Sequence, residues 1–331
     1  MVSRTQFIRR TLWIVWLPLA LFWALAARLR RRRRGSYRSS LKVLCIGNLH
    51  SGGSGKTPVV RAVCEGLKGV RPAVLSRGYH GRLSAIGARV DSTGGPVDFG
   101  DEPWMLAQVL QCPVYIGADR AAMAKRMESE GLCDLIVMDD GFQNLSLCKD
   151  KSLLVFNAEK DLDSLYCLPL GELREPLSAI RHADGVVITY ERDADLKRWE
   201  NWLRELDPEK SFFPARRLYG PPRWSGGNTI ESPYPSFLAF CGLADPRGFF
   251  RHAESALGAI ATVAFPDHHV FTETELTELW AEASRVGATE LLCTEKESHK
   301  IKSLLPNCRQ PSVVRLSYEF PEEFWYFLRD I

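Results

Sequence analysis

An apolar, β-rich run at residues 41–47 (LKVLCIG) leads through four residues into Gly52-Gly53-Ser54-Gly55-Lys56-Thr57, and residues 58–67 then carry a helical pattern. Strand, glycine loop and helix in that order constrain the fold more than anything else in the chain. The glycines let the backbone wrap closely and aim successive N–H groups at one point. The helix that starts near Lys56 adds its positive end to the same point. Such a loop binds the phosphates of a nucleoside triphosphate: Lys56 is placed to reach the β- and γ-phosphates and Thr57 to hold Mg2+. A flexible glycine turn would need neither the flanking elements nor the Lys-Thr pair.

Strand and helix signals keep alternating beyond this loop. Strands are expected at 73–75, 114–116, 135–138, 153–156 and 186–189, with helices at 102–110, 121–130 and 192–206. This rhythm predicts an α/β fold with a mostly parallel sheet and helices on both faces. A proline- and glycine-rich stretch at 220–235 (GPPRWSGGNTIESPYP) reads as a linker. A second, smaller α/β series comes after it, with strands at 237–241, 261–265, 290–294 and 313–316 and a final helix at 322–330. The expected organisation is an anchor and basic flank at 1–34, a phosphate-binding domain at 35–219, a linker at 220–235 and a smaller α/β domain at 236–331. A chain of 331 residues suits about two such domains.

The N-terminal segment differs from the rest. Residues 11–27 (TLWIVWLPLALFWALAA) carry no charge, and arginines flank them at Arg9, Arg10, Arg28 and 30–34. As a helix the segment would measure roughly 26 Å at 1.5 Å per residue, slightly short of a hydrocarbon core of about 30 Å. Snorkelling arginines close such a gap. Ala24-Leu25-Ala26 resembles a signal-peptidase site, but arginines directly after it oppose export. A membrane anchor is the better reading, and the heavier basic flank on its C-terminal side places the phosphate-binding domain in the cytoplasm. Whether such a helix spans the bilayer or lies in one leaflet stays open. The net charge of +3 comes with the basic residues concentrated beside this segment, which argues against a nucleic-acid groove. Nine scattered cysteines without a C-x-x-C pair fit a reducing compartment rather than a zinc or disulfide framework.

Three other patterns carry chemistry. Asp139-Asp140 follows the buried run DLIVM, where a phosphate-loop protein places the acid that organises Mg2+. Asp101-Glu102-Pro103 opens a helix, which acids and proline also favour for capping reasons alone. Asp267-His268-His269 follows an expected strand; adjacent histidines diverge too much for a metal pair, but one of them suits proton sharing with a carboxylate. The loop itself departs from the commonest form, because its usual first glycine falls on His50. It is similar to the loop of ParA/MinD-like ATPases, although those carry a lysine where this chain has Ser51.

GNLHSGGSGKTP (47–58), LSRGYHGR (75–82), GDEP (100–103), DDGFQN (139–144), LPLGELREPLSAI (168–180), FCGLADPRGFF (240–250), FPDHHVFT (265–272) and TEKESHKI (294–301) occur in one order. That series resembles the tetraacyldisaccharide 4'-kinases, the lipid A 4'-kinases of Gram-negative inner membranes. The resemblance runs from the anchor almost to the C-terminus. It implies transfer of the γ-phosphate of ATP to the 4'-hydroxyl of a tetraacylated glucosamine disaccharide 1-phosphate, forming lipid IVA. It also implies two α/β domains joined by a two-stranded linker, a cleft between them, and a membrane lipid as partner without an obligatory protein partner.

Carried over by motif, the resemblance makes Asp101 the base, supported by His268. It makes Thr57, Glu102, Asp139 and Asp140 the surroundings of Mg2+, and Lys56 the group that stabilises the transferring phosphoryl. Arg77 and Arg174 are candidates for a phosphate of substrate or nucleotide, and equally for structural ion pairs. Two departures from the family pattern are Asn144, where many relatives have histidine, and His80, which interrupts R-G-Y-G-R. The alternative from the loop alone is a membrane-attached switch ATPase of ParA/MinD type, with a small-molecule synthetase a weaker third.

Overall fold

The computed structural model describes residues 13–32, 37–51, 53, 55–162, 165–224, 228–231, 234–267, 269–301 and 309–331. Gly52, Ser54, His268 and Arg33–Arg34, to all of which expectations attach, lie outside the described residues.

Strand β1 (Lys42–Gly47) shows why the chain forms a layered α/β structure. Residues 43–47 are all buried, so the strand has no solvent face. Val43 and Cys45 enter one hydrophobic cluster and Leu44 and Ile46 another. A strand apolar on both sides must have helices over both faces, the arrangement of parallel sheets. Its neighbours are β5 (Leu135–Asp139) and β6 (Lys151–Asn157), both parallel to it. Further strands are β2 (Pro72–Ser76), β3 (Ala88–Arg89), β4 (Val114–Ile116), β7 (Gly185–Tyr190), β8 (Ser211–Tyr219) and β13 (Leu316–Glu319). Among the described residues these form one sheet of order β13-β8-β7-β6-β1-β5-β2-β4-β3. It is parallel except at its two edges, where β13 pairs with β8 and β3 with β4 in antiparallel fashion.

Helix α1 (Trp13–Arg32) precedes this sheet, and α2 (Lys56–Gly66), α3 (Pro96–Phe99), α4 (Asp101–Val109), α5 (Arg120–Glu130) and α6 (Asp193–Leu206) alternate with its strands. A smaller sheet comes next, of order β10-β9-β11-β12 and parallel throughout. Its strands are β9 (Phe237–Cys241), β10 (Ala259–Ala264), β11 (Glu290–Thr294) and β12 (Ser312–Val314). Helices α7 (Arg247–Leu257), α8 (Glu273–Val286) and α9 (Glu295–Ile301) accompany it, and α10 (Glu322–Arg329) ends the chain.

Two differences from the sequence reading concern the last residues. The strand expected at 313–316 is two strands, and only β12 belongs to the small sheet. β13 returns along β8, and Phe324 and Leu328 of α10 join the core of the large sheet. The smaller unit of the sequence reading therefore ends near residue 314 rather than 331. Outgoing and returning segments run side by side between the sheets: Arg223 N donates to Val313 O (2.9 Å), Val313 N to Arg223 O (2.8 Å) and Gly220 N to Arg315 O (2.9 Å). β8 itself was missed, because Pro214, Arg216 and Arg217 interrupt its apolar pattern.

No helix among the described residues is long and apolar enough to cross a membrane. α1 has 20 residues, but arginines occupy its last turns. Ala20 and Ala27 pack inward, whereas Leu21, Phe22, Leu25 and Leu29 are at least half exposed.

Phe324→Ala tests the return of the chain. Phe324 is fully buried against Phe213, Phe320 and Trp325. Truncating it should destabilise the protein by about 3–5 kcal/mol, read from the urea midpoint. A loss below about 0.5 kcal/mol, the range of surface substitutions, would show that α10 is not part of the large core.

Candidate active site

Parallel strands deliver their carboxyl ends to one edge, and ligands of open α/β sheets bind there. Four neighbouring strands end on this edge, each followed by a polar or charged group. β1 leads into the glycine loop, β5 ends at Asp139, β2 is followed by Arg77, and β4 by the segment that starts α5 at Arg120.

Gly55 caps α2 in the left-handed conformation, with φ of 79°. A Cβ there would also lie 2.5 Å from the Tyr318 hydroxyl oxygen, so both backbone and space require glycine. The first turn of α2 holds no acid, which leaves its positive end uncompensated. Lys56 begins that turn, and Thr57 is buried behind it. Gly53 faces the other sheet: a Cβ on it would sit 3.3 Å from Ala244 Cβ.

Asp139 is 1% exposed. Its Oδ2 accepts from Ser76 Oγ at 3.4 Å, while Oδ1 has no partner among the described residues. Burial pushes its carboxyl up to about 7, and Glu102 and Asp140 push the same way against Lys56 and Arg120. Asp140 has the opposite fate. Burial would raise its carboxyl, but Lys56 and Arg174 outweigh burial and hold it below the ordinary value. Lys56 Nζ lies 3.5 Å from Asp140 Oδ1, and Arg174 Nη1 donates to Oδ2 at 3.0 Å. The two adjacent acids thus shift in opposite directions because only one of them has cations at its oxygens.

Asp101 and Glu102 open α4 directly after Gly100, whose φ of 89° and close approach to Tyr79 O (2.7 Å from a built Cβ) exclude a side chain. Asp101 Oδ2 is 2.7 Å from Lys300 Nζ, and Lys300 also donates to His269 O at 3.2 Å. Lys300 sits on α9 beside the small sheet, so this ion pair joins the two sheets. One turn earlier on α9, Lys296 donates to Asp267 at 2.9 Å. His269 turns elsewhere: its Nε2 is 2.9 Å from Glu275 Oε1 and its ring stacks on Phe265 at 4.8 Å. Of the two adjacent histidines, His269 is thus already engaged, and His268 lies outside the described residues.

Arg77 is exposed at the edge. Sequence reasoning missed two cations here. Arg120 is 3% exposed, with Nη1 donating to Gly117 O and Nε unpartnered among the described residues. Burial lowers its guanidinium to about 10, while Asp139 and Asp140 act to raise it. Its place just after β4 was the available signal. Lys300 belongs to the TEKESHKI stretch, which has no chemical pattern of its own.

The residues fit a magnesium ion. Mg2+ is bound by one or two carboxylates together with phosphates and water rather than by an all-protein cage. Among the described residues no three acidic, histidine or cysteine groups form such a cage, yet the buried Oδ1 of Asp139 faces no donor. An unpartnered buried carboxylate oxygen beside a hydroxyl residue at a phosphate loop is the oxygen set that this ion takes.

Fold and site together define an α/β nucleotide-binding protein of the phosphate-loop class. A family model described as tetraacyldisaccharide-1-P 4'-kinase matches residues 12–331. The chain is 35% identical over 296 residues to the tetraacyldisaccharide 4'-kinase of Parvibaculum lavamentivorans, covering 86% of this chain and 80% of that one. It is 34% identical over 317 residues to the enzyme of the same name from Bradyrhizobium diazoefficiens, covering 94% and 90%. A crystal structure of Aquifex aeolicus LpxK in complex with ATP superposes with a TM-score of 0.72 at 26% identity, covering 96% of this chain and 97% of that one. The chain belongs to the tetraacyldisaccharide-1-P 4'-kinase family. Its match to that family over both sheets favours a kinase over the switch ATPase suggested by the loop alone.

The raised carboxyl of Asp139 carries a stability prediction. A folded value near 7 against an unfolded value near 3.9 means that the fold prefers the protonated acid. Its contribution is full below about pH 4 and is lost as pH rises through 7. In EDTA, Asp139→Asn should therefore gain stability over wild type progressively between pH 5 and 8, reaching about 1–3 kcal/mol. Melting temperatures across that range check it; a difference that stays flat with pH would refute the raised value.

Proposed function

We propose that this chain transfers the γ-phosphate of ATP to the 4'-hydroxyl of tetraacyldisaccharide 1-phosphate, forming lipid IVA, and that it does so with groups from both sheets. The observation that carries this reading is the convergence of Lys56, Asp139-Asp140 and Asp101-Glu102 at one edge, with Lys300 reaching Asp101 from the small sheet. Family membership supplies the substrate.

Phosphoryl transfer needs positioning and charge neutralisation more than covalent chemistry. The loop Gly52–Thr57 cradles the phosphates with backbone N–H groups. Lys56 neutralises charge on the transferring group, and Asp140 holds Lys56 in place meanwhile. Asp139, Glu102 and Thr57 would hold Mg2+, which would offset the negative charge of the phosphates when bound. Asp101 accepts the proton of the attacking 4'-hydroxyl, with His268 sharing it. Lys300 orients the Asp101 carboxylate through the 2.7 Å ion pair. Arg77 and Arg120 lie at the same edge and supply further positive charge for phosphates.

The large sheet and the four-stranded sheet then act as two domains around a cleft. Leu21, Phe22, Leu25 and Leu29 of α1 meet the bilayer from the cytoplasmic side of the inner membrane. The neighbouring arginines lie among anionic headgroups.

Detergent-solubilised protein incubated with the disaccharide 1-phosphate, ATP and Mg2+ should yield a bisphosphate by mass analysis. A folded protein that gives none would sink the activity. Asp101→Asn should keep ATP binding and slow transfer by about 10²- to 10⁴-fold. Turnover equal to wild type would remove Asp101 as the base.

A further inference from the structure

Helix α1 has a second side, hydrogen-bonded to the segment 174–178 between β6 and β7. Trp23 Nε1 donates to Arg174 O at 2.9 Å. Arg31 Nε donates to Glu175 Oε2 at 2.7 Å, and its Nη2 lies 2.5 Å from the same oxygen. Arg28 Nη2 donates to Ser178 Oγ at 3.2 Å. Glu175 is 1% exposed, so its carboxylate depends on Arg31, with Arg30 Nη2 at 3.8 Å, for compensation.

The same segment is tied on its other side to the phosphate loop. Arg174 N donates to Leu49 O at 2.6 Å, and Ser51 N to Glu172 O at 2.7 Å. The Arg174 side chain then reaches both oxygens of Asp140, at 3.2 and 3.0 Å, and Asp140 lies 3.5 Å from Lys56. Asp140 needs such support, because its φ of 50° is an unfavourable conformation for a residue with a side chain. Its own N–H is fixed to Ile46 O at 2.9 Å, which leaves its carboxylate direction to Arg174 and Lys56.

We infer that α1 is part of the active-site scaffold, with Trp23 a positioning residue that sets Lys56 through Arg174 and Asp140. Trp23 is 46% exposed on the helix that meets the lipid, so one residue touches both the membrane-facing side and the main chain behind the phosphate site. Seating of α1 at a lipid surface and orientation of Lys56 are thereby coupled. The inference rests on the assignment of Lys56 and Asp140 to phosphoryl transfer given above.

A helix that only anchored the enzyme would alter access to lipid and leave the chemical step alone. The two roles separate in mixed micelles at saturating ATP and lipid. Trp23→Phe keeps an aromatic ring for the interface and removes the indole donor. Its kcat should fall about 5- to 20-fold with KM for the lipid within about twofold of wild type, the size expected for one positioning hydrogen bond. Paired with Arg174→Lys, the double variant should be no more than about twofold slower than Arg174→Lys alone, since both act through one path. Unchanged kcat, a raised lipid KM at constant kcat, or multiplicative effects in the pair would each overturn the inference. Asp140→Asn distinguishes the two failures. If it lowers kcat while Trp23→Phe does not, the path from α1 is wrong and the site assignment stands; if Asp140→Asn has wild-type kcat, both fall.

Discussion

The structure turns on an imbalance of charge at the end of β5. Asp139 and Asp140 are adjacent, yet Lys56 and Arg174 bond only to the second. The first is left buried with one oxygen unpartnered among the described residues. A fold optimised for stability alone would not place a carboxyl group there, since a buried polar oxygen without a partner costs free energy. The cost becomes intelligible once the site includes a divalent cation and a triphosphate. The glycine loop, the uncompensated start of α2, and Arg120 beneath the edge then form a positive cradle beside the two acids. Binding brings both signs into balance.

Much of this was legible because parallel strands announce themselves twice. Each buried strand is a nearly continuous apolar run, and the phosphate loop, Arg77 and Asp139-Asp140 lie at or just after the end of one. β1, β5 and β9 were read within one residue of their limits for that reason. What escaped lacks that signature. β8 carries Pro214 and two arginines, and β13 is four residues long with only Tyr318 buried. Their pairing is decided by tertiary contact, by the aromatic packing of Phe213, Phe320 and Phe324, rather than by local pattern. The site shows the same division. Lys56 and Asp139-Asp140 carry spacing that means one chemistry. Lys300 and Arg120 acquire meaning only from where the fold brings them, and nothing about a lysine in a charged helix marks it as the partner of an acid in a distant part of the chain.

Several contacts between the two sheets are charged. Arg61 bonds Glu295 at 2.6 Å, and Lys300 meets Asp101 on the cleft side. Farther along, Arg251 of α7 bonds Glu159 at 2.7 Å and Glu191 at 2.6 Å, while Arg217 of β8 bonds Glu159 at 2.9 Å. Gly248 lets α7 come this near: a Cβ there would be 2.8 Å from Arg217 Nη1. Polar interfaces of this kind permit relative motion, because their ion pairs exchange with water at little net cost, whereas an apolar seam does not.

That permissiveness has a consequence for how ATP is spent. The phosphate loop, the acids at β5 and the start of α4 all belong to the large sheet. Lys300, which meets Asp101 across the cleft, belongs to the small one. A base oriented by one sheet and a phosphate held by the other are aligned only when the sheets are together. If Asp101 is the base as proposed, water reaching the nucleotide in a parted cleft would meet no oriented base, which would limit wasteful hydrolysis. α1 is bonded to the segment behind Asp140, so on the proposed reading a lipid surface and the phosphate site share one chain of contacts.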